Sequence, residues 1–295
     1  MLPSLDELIV TTSRRPSPLE TARARKLALE LNVPYAKRKG IPVLLDAHQK
    51  SWAYIVSRRR DEVVPREGIG FHIHPGLFFA KAAAGEKGPL VQALAGDDGL
   101  DAINEIVDCT LGLAQDALVT SHVFNAQVLG IEGSPIVQCL LEEGLARLQK
   151  EVDRPWADAA SRIRLVKGKA PDILATLPEN SADVVSLDPM MVIPGSAQPG
   201  FSFFRNFAVH DQPFDDWLLE AARVARRRVV WKISSVRKTP VSALKWHRRI
   251  ESKACGYLVH DVNANDSQLK SKQNPKNQNA KFEEPSCQPK VEHKL

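Results

Sequence analysis

Three short runs place acidic side chains at the ends of apolar stretches, where a folded chain turns. The first is Asp108-Cys109-Thr110-Leu111-Gly112, continued by Leu113-Ala114-Gln115-Asp116. The second is Gly130-Ile131-Glu132-Gly133, and the third is Asp188-Pro189-Met190-Met191. A glycine in the first turn lets backbone approach a ligand closely. Glu132 stands 20 residues after Gly112, a spacing at which an acid ending the next strand accepts hydrogen bonds from ribose hydroxyls. A pyrophosphate would need G-x-G-x-x-G at the turn, and only Gly112 is present, with Asp108 and Asp116 set to repel a diphosphate. No G-x-x-x-x-G-K-[ST] loop occurs either, which argues against a nucleoside triphosphatase. An acidic turn followed by a ribose-binding acid suits a cationic nucleoside without phosphates, and S-adenosyl-L-methionine is such a compound.

Those residues need a scaffold, and the hydrophobic pattern supplies one. From about residue 104 the runs NEIVDCTLG, AQVLGIEG, RIRLVKG, ADVVSLDP and RRVVWKIS are apolar and β-branched. Amphipathic segments such as SPIVQCLLEEGLARLQKEV and PFDDWLLEAARVAR lie between them. Near-continuous apolar strands alternating with such helices form a parallel sheet covered on both faces, so the fold class is α/β, doubly wound. Ligands bind such sheets beyond the carboxyl ends of the strands, where the strand order reverses. ALKWHRRIE and GYLVHDVN read as an edge hairpin. Ahead of this body, LIVTT reads as a strand, Leu19 to Val33 as a helix, and IPVLL and SWAYIVSRR as strands. LVQALAGDDGLDAI reads as a helix and turn leading onward. The expected division is a small N-terminal α/β domain over 1–85, a ligand-binding domain over 86–263 and a basic tail over 264–295. The tail is nearly without aliphatics and is expected to be disordered.

Composition sets outer bounds. The chain has 295 residues, 43% of them hydrophobic and 25% charged, an ordinary globular balance. No run approaches the ~18 apolar residues of a membrane span, and MLPSLDEL carries two acids and no signal core, so a cytoplasmic location is expected. The four cysteines form no C-x-x-C pair and read as reduced thiols without a metal framework. Residues 1–66 carry 13 basic and 7 acidic side chains (+6), 67–225 carry 11 and 22 (−11), and 226–295 carry 16 and 6 (+10). An acidic centre between basic ends suggests a catalytic body flanked by segments that attract a polyanion. Two solvated basic faces explain the same pattern.

DCTLGLAQD, VLGIEG, SLDPMM and RVVWKIS together resemble the class I S-adenosylmethionine-dependent methyltransferases. More narrowly, they resemble the group that contains the ribosomal RNA guanine-N2 methyltransferase RsmJ. Its motif D-x-T-x-G-L-x-x-D is matched at Asp108, Thr110, Gly112, Leu113 and Asp116. A branch of that group has an N-terminal α/β extension and an F-x-H-P stretch before the turn, as Phe71-His72-Ile73-His74-Pro75 stands here. The resemblance implies a mostly parallel, seven-stranded Rossmann-like sheet, S-adenosyl-L-methionine as cofactor and RNA as partner.

By the same resemblance Asp108, Thr110, Gly112 and Asp116 would surround the methionine part of the cofactor, and Glu132 with Gly133 the ribose. Asp188 and the Pro189 carbonyl would face a target nitrogen in a ribosomal RNA base. Relatives usually carry an aromatic residue where Met191 stands; Met191, Phe201 and His74 are the substrate-binding candidates, with Phe203 and Phe204 as further candidates for a base stack. Lys169 follows Gly168 where some relatives have an acid near adenine. A small-molecule or protein methyltransferase, and a non-catalytic RNA-binding protein on the same fold, are the competing readings.

Overall fold

The computed structural model describes residues 5–76, 78–189, 199–210, 215–235, 238–253 and 255–262; Met191 and the whole tail expected over 264–295 lie outside the described residues. The first apolar run is strand β1 (Leu8–Thr12). Helix α1 (Pro18–Glu30) opens on a capping box: Ser17 Oγ accepts from the Glu20 N–H at 3.2 Å, and the Glu20 carboxylate accepts from the Ser17 N–H at 2.8 Å. These two bonds satisfy amide groups that the helix start leaves without partners. The helix stops short of Val33, because Asn32 adopts a left-handed conformation at φ 53°.

IPVLL is a helix rather than the expected strand, forming α2 (Ile41–His48). Pro42 sits in its first turn, and the buried Leu44 and Leu45 follow Ile41 at helical spacing. A short unbroken apolar run has no alternation to separate the two readings. Next come β2 (Trp52–Val56), parallel to β1, and β3 (Glu62–Pro65), an unanticipated short strand antiparallel to β2. On the other side of β1, an extended segment around Tyr35 pairs in parallel with Val10.

The chain continues through α3 (Phe78–Ala82) and α4 (Pro89–Ala95) into β4 (Glu105–Asp108). Then follow α5 (Gln115–Phe124), β5 (Gln127–Glu132), α6 (Pro135–Leu148), α7 (Pro155–Ser161) and β6 (Ile163–Lys167). The remaining elements are α8 (Ala170–Leu174), β7 (Ala182–Leu187), α9 (Pro199–Phe207), α10 (Asp215–Val224), β8 (Ala225–Ser234), β9 (Arg248–Glu251) and β10 (Cys255–Asp261). Seven strands join in the order β6-β5-β4-β7-β8-β10-β9. The first five run parallel, and the terminal hairpin adds β10 antiparallel to β8 with β9 at the edge. The fold is therefore doubly wound α/β with a mostly parallel seven-stranded sheet. The chain winds outward from β4 to β6 and then crosses back to β7 on the other side of β4. This reversal places the ligand crevice at the carboxyl ends of β4 and β7.

One apolar cluster spans both sheets, taking in Trp52, Tyr54, Ile73 and Phe78 with Leu118, Leu140, Phe203 and Phe207. Each such side chain, fully buried, contributes roughly 1.5–3 kcal/mol. The strip Phe71–His74 lies directly on α6: a Cβ on Gly144 would come within 2.2 Å of Ile73 Cβ. Arg147 also donates to the Ile73 carbonyl at 2.5 Å. At the amino end of β8 the buried Arg228 donates to the Leu94 carbonyl at 2.6 Å and to the Ala95 carbonyl, closing the C-terminus of α4. It also pairs with Asp98 and Asp261. Among the described residues, no helix is long and apolar enough to cross a membrane.

Candidate active site

At the end of β4 the chain turns back under its own acid: the Thr110 N–H donates to Asp108 Oδ1 at 3.0 Å. Gly112 takes φ 52° and Ala114 φ 57°, left-handed values that close the turn before α5 starts. Gly112 is the natural residue for such a value, whereas alanine adopts it at a cost. Thr110 Oγ1 accepts from the Asp188 N–H at 2.7 Å, so the turn after β4 is tied to the end of β7. Glu132, at the end of β5, accepts from the Gly112 N–H at 2.9 Å and from the Ser134 N–H at 2.7 Å. Its carboxylate thus fixes the turn to the neighbouring strand end.

A cavity of about 500 Å³ opens over these strand ends, a size usual for small-molecule sites. The six residues expected around the cofactor, Asp108, Thr110, Gly112, Asp116, Glu132 and Gly133, all line it. Asp188 and Pro189 border the same space, as does Lys169 at the start of α8. Among the other candidates, His74 is exposed and is not part of the lining; its Nδ1 accepts from the Gly76 N–H at 2.9 Å, and its carbonyl accepts from the Gln115 side chain. Phe201 falls in α9, with its side chain outside the described residues. Phe203 is buried, stacked on Phe71 at 4.8 Å and packed against Trp52 and Phe207, so it belongs to the core. Among the described side chains of this helix, Phe204 is the aromatic one that reaches the cavity.

Two lysines were not singled out from the sequence. Lys232, near the end of β8, places Nζ 3.0 Å from Asp116 Oδ2 and 2.5 Å from Asp188 Oδ2. Lys81 from α3 pairs with the other oxygen of Asp116. A signal for Lys232 was present, since a cation inside the apolar run VVWKIS must find a partner if the strand is buried. Lys81 sits in an ordinary helical stretch and carried no such signal.

These contacts divide the four carboxyl groups. Burial raises Asp116, but Lys232 and Lys81 outweigh it and hold the group down to about 2. Its expected repulsion of a diphosphate is therefore largely compensated by the two lysines. Burial, aided by repulsion from Asp116 and Asp188, pushes Asp108 up to about 7 despite the Thr110 N–H. Burial likewise pushes Glu132 up to about 7, against the N–H groups of Ser134, Gly112 and Gly133. Enclosure raises Asp188 above the usual aspartate range, with Lys232 opposing the rise. The lysine itself is held well above its ordinary value, because Asp188 and Asp116 overcome its burial.

The donor set fits S-adenosyl-L-methionine. Buried acids that lack enough cations gain most from a positively charged ligand, and Leu111, Leu113, Ile131 and Val137 offer apolar wall for a flat base. Comparison with known proteins agrees. The family described as putative SAM-dependent methyltransferase matches residues 77–260. The uncharacterized protein YpiP of Bacillus subtilis is 34% identical over 231 residues, spanning 76% of this chain and 88% of that protein. Ribosomal RNA small subunit methyltransferase J of Thioalkalivibrio sulfidiphilus is 31% identical over 246 residues, spanning 81% of this chain and 92% of that protein. In fold, the chain matches the crystal structure of a SAM-dependent methyltransferase from Neisseria gonorrhoeae with a TM-score of 0.61 at 20% identity, over 88% of this chain and 98% of that one. With the acidic turn, the glutamate that ends β5 and the strand order in place, the chain belongs to the class I S-adenosyl-L-methionine-dependent methyltransferases and is of the RsmJ type.

Proposed function

We propose that the methyl acceptor is a base nitrogen of RNA, in the first instance ribosomal RNA, modified in the cytoplasm. The observation that carries this reading is Asp188-Pro189 at the end of β7, bordering the same cavity as the cofactor residues. The similarity to ribosomal RNA small subunit methyltransferase J supports it.

Bound S-adenosyl-L-methionine supplies a methyl group already activated by its sulfonium. The protein's tasks are alignment and placement of charge. Asp108 and Asp116 hold the cationic end of the cofactor, and Glu132 and Gly133 its ribose. Asp188 is held in place from two sides, through its N–H on Thr110 and its carboxylate on Lys232. Its carboxylate would accept a hydrogen bond from the target amino group, orient the nitrogen lone pair and take the proton that the nitrogen gives up. The Pro189 carbonyl is the second acceptor for that group. Phe204 offers an aromatic face against which the base packs.

The test is transfer of radiolabelled methyl groups to total RNA, run beside total protein and a small-molecule extract. The expected result is label in RNA, reduced about 100-fold or more by Asp188→Ala, the scale of losing a proton acceptor. Label confined to another fraction would reassign the acceptor. Retained cofactor binding with no transfer to any fraction, assembly intermediates included, would favour a non-catalytic RNA-binding role.

A further inference from the structure

Three backbone segments of the N-terminal sheet run in the same direction: the one through Tyr35, β1 and β2. Each leaves the sheet at the same end, and each is followed by a basic run. After β1 come Arg14 and Arg15, after the Tyr35 segment come Lys37, Arg38 and Lys39, and after β2 come Arg58, Arg59 and Arg60. Eight of the 13 basic residues in 1–66 therefore meet at one edge of one small sheet. Adjacent strands lie about 4.8 Å apart, so these charges fall within about one Debye length, 10 Å at 0.1 M salt, of their neighbours.

The acids near this edge already have partners. Glu20 is buried in the α1 capping box, and Asp61 pairs with Arg23 and accepts from the Ser57 N–H. Glu62 stands 3.8 Å from Arg60. Arg14, Arg15, Lys37, Lys39, Arg58 and Arg59 are exposed. None of these six makes an ion pair with an acid among the described residues. Arg38 donates to the Thr12 carbonyl at 3.3 Å, and burial together with the neighbouring Arg14 holds its guanidinium below the usual arginine range. Like charges crowded in excess of the acids around them are relieved by a bound polyanion.

The edge is also connected to the catalytic cavity. Arg60 ends the run that leads into β3, whose Val63 exchanges backbone hydrogen bonds with Phe71, the first residue of the strip that carries His72 and His74. The His74 carbonyl in turn accepts from Gln115, which borders the cavity. We propose that the basic edge formed by Arg14–Arg15, Lys37–Lys39 and Arg58–Arg60 grips the phosphate backbone of the RNA substrate and delivers a nucleotide along the Phe71–His74 strip to the cavity. The proposal rests on RNA being the acceptor.

The experiment uses the full chain and a labelled single-stranded 30-nucleotide RNA. The triple variant Arg14→Ala, Lys37→Ala, Arg59→Ala removes one exposed cation from each run. A control of equal charge change, Lys87→Ala, Arg164→Ala, Lys253→Ala, alters exposed cations on other elements. Each phosphate contact contributes about 0.7 to the slope of log affinity against log salt on a single strand, or a factor of about 5 at 0.1 M. The triple variant should therefore lose about 2 from the slope and about 100-fold in affinity, with cofactor binding and thermal unfolding unchanged. The control should match the parent protein. Equal slopes for the parent and the triple variant, with methyl transfer to RNA intact in both, would overturn the basic edge and leave the RNA reading standing. A parent protein with no salt-sensitive RNA binding and no transfer to RNA would overturn both.

Discussion

Arg228 and Lys232 stand four residues apart on β8, and so on the same face of the sheet. Each is met by two aspartates, Asp98 and Asp261 for the arginine, Asp116 and Asp188 for the lysine. The likeness ends there. Around Arg228 the guanidinium fork is filled by two backbone carbonyls as well, and its side chain is only 5% exposed. The knot is closed, and it fastens α4 to β8 and β10. Around Lys232 a point charge links one aspartate in the turn after β4 to another at the end of β7, and both partners border a cavity. A planar, permanently charged fork suits the fixed joint, while a compact ammonium suits a site whose charge balance changes as ligands arrive. The same chemical pairing therefore closes a joint at one end of a strand and borders an open cavity at the other.

The comparison breaks most readily at the closed end. Arg228→Met leaves Asp98 to Arg227 and Asp261 to Arg248 but strips the Leu94 and Ala95 carbonyls of their donor, and each buried acceptor left unsatisfied costs about 1–3 kcal/mol. Urea denaturation should show this loss, while the folded fraction keeps its cofactor affinity. A loss below about 1 kcal/mol would mean the joint is an ordinary surface pair. At the open end, Lys232→Met should lower turnover about 100-fold, the scale of an impaired proton acceptor, with far less change in the denaturation midpoint. Because the lysine opposes the rise in the Asp188 carboxyl, its removal should move half-maximal activity to higher pH, and Lys232→Arg should restore much of that shift. An unmoved pH profile would remove Lys232 from the site's chemistry.

A smaller effect follows from Asp108 and Glu132, both poised at about 7 in the free protein. Their folded values lie above the ordinary ones, so each acid favours the fold most below its unfolded value, near 4. That contribution is lost as pH rises toward 7. A cationic ligand reverses the preference by binding the ionised form. Ionisation of Asp108 alone should therefore raise cofactor affinity, measured by calorimetry, about tenfold between pH 6 and pH 8, with Glu132 adding to the rise if it too must ionise, and a flat profile would separate these acids from the ligand's charge. The smallest change is expected for Lys81→Met, since Lys232 still neutralises Asp116 and a partly exposed ion pair contributes about 1 kcal/mol or less. A loss of cofactor affinity above tenfold would instead make Lys81 a principal binding group.

Much of this arrangement is legible in the chain. Asp108, Glu132 and Asp188 can be found because each ends an apolar run that becomes a parallel strand, and the reversal of strand order brings those ends together. What pairs across long separations is harder to see. Lys232 lies 116 residues from Asp116, and only its intrusion into an apolar strand hints that it has a partner. IPVLL misleads because burying two leucines against a neighbouring sheet satisfies a helix as well as a strand. Phe203 and Phe204 are adjacent in a run of similar residues, and only packing against Trp52 and Phe71 assigns one to the core and leaves the other at the cavity.

The hydrogen bond from Gln115 to the His74 carbonyl joins the residue beside Asp116 to a strip lying outside the cofactor cavity. It makes the two regions thermodynamically reciprocal. A ligand that orders the turn at the start of α5 also steadies the strip, and any molecule that steadies the strip must tighten the turn by the same factor. Cofactor and RNA affinities should accordingly be measured each in the presence of the other. Equal coupling factors in the two directions are required by equilibrium, and a factor that vanishes in Gln115→Ala would identify this single amide as the link.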